Sequence, residues 1–111
     1  DDDRLTPDRL YETLRFVGFP DDSVVPGAFE KTVRAFDKDS LRRFLVFATG
    51  SPGLPSAPGF ELQVRAQPRS PALPVAHTSF FHLDIPDYAD EGEFVAKLTT
   101  AILECGTFDR V

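Results

Sequence analysis

There is no tryptophan and no methionine in this chain of 111 residues, only one cysteine and two histidines, and 12 basic side chains stand against 18 acidic ones. Each shortage removes a class of explanation. The single cysteine, Cys105, excludes an internal disulfide and fits a reducing compartment. One cysteine with two histidines falls short of a zinc-site pattern, and no other motif implies a metal or an organic cofactor. The net charge of −6 argues against a nucleic-acid-binding surface, which needs a basic patch, and leaves basic protein partners open. No apolar run approaches the roughly 18 residues of a membrane span, and the first residues show no signal-peptide pattern. A chain that starts at Asp1 without methionine is expected to be a piece cut from something longer.

What is abundant is phenylalanine. Eleven of them in a chain that is 41% apolar are enough to build a real core in one domain. Thr6-Pro7-Asp8 reads as a helix start, with a hydroxyl cap, proline at the first helical position and an acid in the first turn. Leu10, Leu14 and Val17 give that helix a short apolar stripe, and Gly18 is placed to stop it. Phe19-Pro20-Asp21-Asp22 is a turn and a candidate hinge. Asp22 or Ser23 caps a second helix whose buried side is Phe29, Val33 and Phe36. Asp37 caps a third, with Leu41, Phe44, Leu45 and Ala48 inward and Gly50 at its end. The stretch from Ser51 to Gly59 is rich in proline, glycine and serine and is a loop.

Phe60 to Ala66 alternates apolar and polar residues, the period of a half-buried strand. A second Pro/Ser loop leads into Leu73–Pro86, which holds both histidines. From Phe80 this stretch alternates again: Phe81, Leu83 and Ile85 face one way, His82 and Asp84 the other. His77-Thr78-Ser79 precedes it, where a turn would present side chains to solvent. Asp90 and Glu93 form a capping box for a last helix with Phe94, Leu98 and Ile102 on one face, which Gly106 should stop. Helices first, then a small mixed sheet, then a C-terminal helix make an α+β fold.

The string Leu73-Pro74-x-Ala76-His77-Thr78-Ser79-Phe80-x-x-Leu83-Asp84-x-Pro86-x-Tyr88 resembles the active-site segment of HECT-type ubiquitin ligases. Phe44-Leu45-x-Phe47-x-Thr49-Gly50-Ser51, Gly59-Phe60, Gly18-Phe19-x-Asp21-Asp22 and Phe108 near the end are similar to further family stretches, in the same order. The resemblance implies that residues 1–20 are the end of the N-lobe with the interlobe hinge, and that 21–111 are the C-lobe. It implies ubiquitin, a ubiquitin-conjugating enzyme that docks on the missing N-lobe, and a substrate lysine as partners. It also implies an intracellular protein, of the cytoplasm or nucleus. Two departures stand out. The family's first C-lobe helix is usually tryptophan-rich, and the family nucleophile at the position of Ser79 is a cysteine.

That family reaction is two acyl transfers. A thiolate takes ubiquitin from the conjugating enzyme as a thioester, and a lysine then attacks it. A thiol suits both steps because its thiolate is accessible near neutral pH; a serine hydroxyl is weak without an adjacent general base, and its oxyester is a poorer donor. Ser79 is therefore expected to load slowly and discharge more slowly still. It is either a laboratory substitution or a natural feature of an inactive, ubiquitin-binding relative. On composition alone Ser79 would read as an ordinary turn serine. His77, two residues earlier, either assists proton movement or simply holds the turn. Thr78 shapes the loop and, by resemblance, belongs to the site, and Phe80 is implicated in transfer. By resemblance Phe108 takes part in ubiquitin transfer, against a plain hydrophobic plug for the last helix. Asp109 beside it would position the incoming lysine, against an ordinary solvated tail acid. His82 reads as a solvated strand histidine, and Cys105 as partly buried and structural. A hydrolase triad of Ser79, His77 and Asp84 finds no support in sequence, since the nucleophile-elbow pattern Gly-x-Ser-x-Gly is absent. The stronger rival to a transferase is a module that binds ubiquitin or other lobes without chemistry.

Overall fold

The computed structural model describes residues 5–108. In chain order its elements are α1 (Pro7–Thr13), β1 (Leu14–Val17), α2 (Val25–Arg34), α3 (Lys38–Thr49), β2 (Leu62–Gln67), β3 (Val75–His77), β4 (His82–Pro86) and α4 (Glu91–Phe108). The four strands form one mixed sheet in the order β1-β2-β4-β3. β1, β2 and β4 run parallel, and β3 runs antiparallel to β4 along the edge. The α+β arrangement is as the sequence implies.

The caps explain where most helices begin. The Thr6 hydroxyl accepts from the Arg9 N–H at 3.1 Å ahead of Pro7. The Asp37 carboxylate accepts from the Ser40 N–H at 2.8 Å, and these hydrogen bonds hold its carboxyl below the usual range. The Asp90 carboxylate accepts from the Glu93 N–H, while the Glu93 side chain reaches back to the Ala89 N–H, a capping box whose return bond falls one residue ahead of the cap. Gly50 closes α3 at φ 84, in the left-handed region that favours glycine.

Three expectations change. The first helix stops at Thr13, and Leu14–Val17 is a strand paired to β2 with Leu14 opposite Leu62 and Phe16 opposite Val64. Leu10, Leu14 and Val17 fit a helical stripe, but Leu14 and Phe16 also alternate with Arg15 and Val17. Sheet pairing decides between the two periods, and it leaves Val17 45% exposed. The second helix has Val24 at its cap, with the Ser23 hydroxyl accepting from the Val25 N–H and donating to Asp87. The last helix runs through Gly106 to Phe108.

Leu14, Leu62, Val64, Leu83 and Ile85 point to the helix-covered side of the sheet and join Phe29, Phe44, Phe94 and Tyr88 in one cluster. Phe29 sits at its centre, with the rings of Phe16, Phe44 and Phe94 at 5.7, 5.9 and 5.5 Å, distances at which aromatic pairs attract. Among the described residues no polar or charged residue is buried. Leu5, Leu10 and Leu14 belong to the same cluster, so α1 and β1 pack with the rest of the chain.

Candidate functional site

The opposite face of the sheet is open. The pairing puts Arg15 and Val17 of β1, Gln63 and Arg65 of β2, His82 and Asp84 of β4, and Val75 and His77 of β3 side by side on it. Arg65 donates to Nδ1 of His82 at 3.0 Å. A guanidinium has no acceptor, so that nitrogen accepts and the His82 proton sits on Nε2. His77 lies opposite His82 and therefore diagonal to Asp84, with Nε2 2.9 Å from Asp84 Oδ2. A carboxylate only accepts, so His77 donates from Nε2 to Asp84. The second oxygen, Asp84 Oδ1, is buried without a hydrogen-bond partner among the described residues.

The strands β3 and β4 are joined by residues 78–81. The Phe80 N–H donates to the His77 carbonyl at 3.0 Å, which closes a β-turn with Ser79 at its third position. Thr78, Ser79 and Phe80 are exposed, Phe80 to 71%. Ser79 makes no side-chain hydrogen bond among the described residues. The end of α3 abuts the turn: a Cβ on Gly50 would stand 3.9 Å from Thr78 Cβ.

Phe81 completes the reversal at φ 55, the one non-glycine residue at positive φ among those described. That conformation costs an L-residue on the order of 1–2 kcal/mol. Two contacts offset it. The Phe81 ring meets Phe60 edge-on at 5.0 Å, worth about 0.5–1.5 kcal/mol. Its carbonyl accepts from the Gln63 N–H at 3.0 Å, a net gain of about 0.5–1.5 kcal/mol. The strand thus starts at His82, not at Phe80, because the chain spends four residues reversing direction.

Behind the hairpin, buried Tyr88 donates from its hydroxyl to the Ala72 carbonyl at 2.5 Å and ties the 68–74 loop down. Burial is the main cause, with Glu93 second, that pushes the Tyr88 phenol up to about 12. Arg69 donates to the Asp87 carbonyl at 2.7 Å and fixes the same loop from outside.

Of the residues singled out in sequence, the fold brings His77, Thr78, Ser79 and Phe80 into one exposed turn. Phe108 is the last residue of α4, and Asp109 lies outside the described residues. Sequence spacing alone gives no reason for His77 to meet Asp84; the hairpin register joins them. A four-residue connection from His77 to His82 was the available signal. The role of Phe81 had none, since a phenylalanine does not announce a left-handed turn. Among the described residues no group of three or more acidic, histidine or cysteine side chains is arranged to hold a metal, and no helix is long and apolar enough to cross a membrane.

Set beside known proteins, residues 1–111 match the HECT-domain (ubiquitin-transferase) family. The chain is similar to a Dictyostelium discoideum protein named bifunctional serine/threonine-protein kinase/NEDD4-like E3 ubiquitin-protein ligase, with 42% identity over 83 residues, 73% of this chain and 4% of that one. It is 33% identical to the E3 ubiquitin-protein ligase UPL2 of Arabidopsis thaliana over 108 residues, 87% of this chain and 3% of that one. With the human E3 ubiquitin-protein ligase HECW2 the identity is 33% over 100 residues, 82% of this chain and 6% of the relative. The chain spans only a small part of each of these relatives.

Proposed function

The chain belongs to the HECT-domain family, and from that membership we propose that it is the C-lobe of a ubiquitin ligase in which residue 79 is the position that receives ubiquitin. In this reading residues 1–20 are the end of the N-lobe and the hinge, and 21–111 are the C-lobe. Leu5, Leu10 and Leu14 share the core, so a hinge movement either pivots ahead of α1 or releases that packing. The conjugating enzyme docks on the N-lobe, and the reaction takes place inside the cell.

One observation carries the reading: Ser79 is exposed at the tip of the turn that the His77–Asp84 pair borders. An acceptor must reach a bulky protein thioester, and a hairpin tip offers it without displacing any core residue. With a thiol at 79, the sulfur attacks the thioester carbonyl, the conjugating enzyme's thiolate leaves, and a lysine later displaces the C-lobe sulfur. With serine, the hydroxyl proton must be removed as Oγ attacks. In this reading His77, hydrogen-bonded to Asp84 through Nε2, takes that proton on Nδ1, and Asp84 stabilises the imidazolium that forms. The resulting oxyester holds ubiquitin and yields it slowly to lysine. Thr78 shapes the turn, while Phe80 and Phe108 contact the incoming ubiquitin and Asp109 the lysine.

That the Ser79 hydroxyl has no hydrogen bond among the described residues favours a second reading, a non-enzymatic module that docks ubiquitin through exposed Phe80. One experiment separates them. The catalytic domain that contains this chain is incubated with activating enzyme, conjugating enzyme and ubiquitin, as Ser79 and as Ser79→Cys, and run on gels with and without reductant. A reductant-sensitive adduct in the Ser79→Cys variant alone is the expected result. No adduct in either form would sink the transferase reading and leave the docking module.

A further inference from the structure

We infer that Phe60 is a positioning residue for residue 79, acting through Phe81 to hold the 78–81 turn in the conformation that presents the acceptor; this rests on the reading of 79 as the position that receives ubiquitin. Four described residues have positive φ. Three are glycines, Gly18, Gly50 and Gly59, and the fourth is Phe81. Glycine adopts that conformation at no steric cost, so the fold uses it wherever only a bend is needed. At Phe81 the bend comes with a ring, and the ring has one aromatic partner, Phe60, at 5.0 Å and 87°.

The consequence is a conditional turn. With glycine at 81 the left-handed backbone would be available whatever surrounded it. With phenylalanine it persists only while neighbouring contacts outweigh the strain. The contact with the Gln63 N–H belongs to the backbone and would survive most substitutions. The aromatic contact belongs to Phe60, at the end of the 51–60 loop, whose own N–H donates to the Ala57 carbonyl at 3.2 Å. The geometry two residues from the acceptor is thus coupled to a loop from a different part of the chain. Both rings are half-buried and both join the edge of the core cluster, so the pair reaches from the packed interior to the exposed turn.

The test is a cycle of variants in the Ser79→Cys background of the full chain that carries this domain. Loading is timed with ubiquitin activated as the thioester of a small thiol, which removes dependence on the conjugating enzyme, at a temperature well below melting of every variant. Misplacing a reacting group by about 1 Å costs as much as 100-fold, so Phe60→Ala is expected to load at least tenfold more slowly. Phe60→Tyr keeps the ring and should load at the parent rate. The decisive variant is Phe60→Ala with Phe81→Asn, because asparagine tolerates the left-handed region without an aromatic partner; it should recover most of the lost rate. A purely structural role for Phe60 would lower the melting temperature of both Ala variants alike and give no such rescue. Parent-like loading by Phe60→Ala, or failure of Phe81→Asn to restore it, overturns the inference while leaving position 79 as the acceptor. If the Ser79→Cys parent itself takes no ubiquitin, the reading of position 79 fails first and the inference with it.

Discussion

The two faces of the sheet solve opposite problems with the same strands. On the helix side, Leu62, Val64, Leu83 and Ile85 are fully buried beneath α2, α3 and α4, and the aromatic cluster around Phe29 fills the space between. On the open side, the residues one position along are Gln63, Arg65, His82 and Asp84, held by pairs that water still reaches. Burial does the holding on one face: removing apolar surface from water is worth about 25 cal/mol per Å2. Surface ion pairs such as Arg15–Glu61, at 3.0 Å with both side chains about half exposed, contribute little. A protein that must offer an acceptor to a large partner benefits from this division. In the proposed reading, the buried face secures the shape, and the turn that carries the acceptor borders the face where a change costs little stability.

The largest way to break the comparison is at the centre of the buried face. Phe29→Ala removes the ring that touches Phe16, Phe44 and Phe94 and should cost about 3–5 kcal/mol. Urea unfolding followed by circular dichroism would read this as a large fall in midpoint, a major share of the roughly 5–15 kcal/mol that holds an ordinary domain together. A loss under about 1 kcal/mol would mean that the helix face is not what holds the sheet.

A smaller effect is expected behind the hairpin. Tyr88→Phe deletes the hydrogen bond to the Ala72 carbonyl and should cost about 0.5–1.5 kcal/mol. The same residue predicts a pH window. Its folded-state pKa, about 12, lies above the unfolded value of about 10. The unfolded chain therefore gives up this proton first. The contribution is fully present below pH of about 10 and is lost as pH rises towards 12. The parent chain should lose stability across that window more steeply than Tyr88→Phe, as alkaline melting curves would show. Identical slopes would remove Tyr88 as the cause.

Much of this division could be read from the chain, and the part that could not has a physical reason. Caps at Thr6, Asp37 and Asp90 are local chemistry, a side chain meeting a backbone group three residues on, so sequence suffices. The alternation in β2 and β4 and the stripes of α2 and α3 are equally local. Leu14–Val17 was not legible because its residues fit both a helical and a strand period, and only β2, almost 50 residues away in sequence and brought alongside by the fold, chooses. The His77–Asp84 pair depends on hairpin register, which depends in turn on how many residues the reversal consumes. Phe81 hides most completely: its conformation is set by Phe60 and by the Gln63 N–H, both outside its own segment. The exposed turn around Ser79 was visible from the polar His77-Thr78-Ser79 triplet, while its supports were not.

The smallest stability effect is the most informative one. His77→Ala removes a side chain that is 46% exposed and whose hydrogen bond is to Asp84, so melting should shift by no more than about 1 kcal/mol. If His77 only holds the turn, ubiquitin loading should barely change once the protein is folded. If it takes a proton from the acceptor, the loss should be about 100-fold or more, and it should depend on what the acceptor is. The hydroxyl of Ser79 needs a base far more than a thiol does, because a thiol already ionises in part near neutral pH. His77→Ala should therefore abolish slow ester formation by Ser79 and slow the Ser79→Cys variant much less. Denaturant-resistant adducts, split by mild base for the ester and by reductant for the thioester, report the two rates separately. Equal losses in both backgrounds would assign His77 to the shape of the turn, and the turn would then present residue 79 without a base.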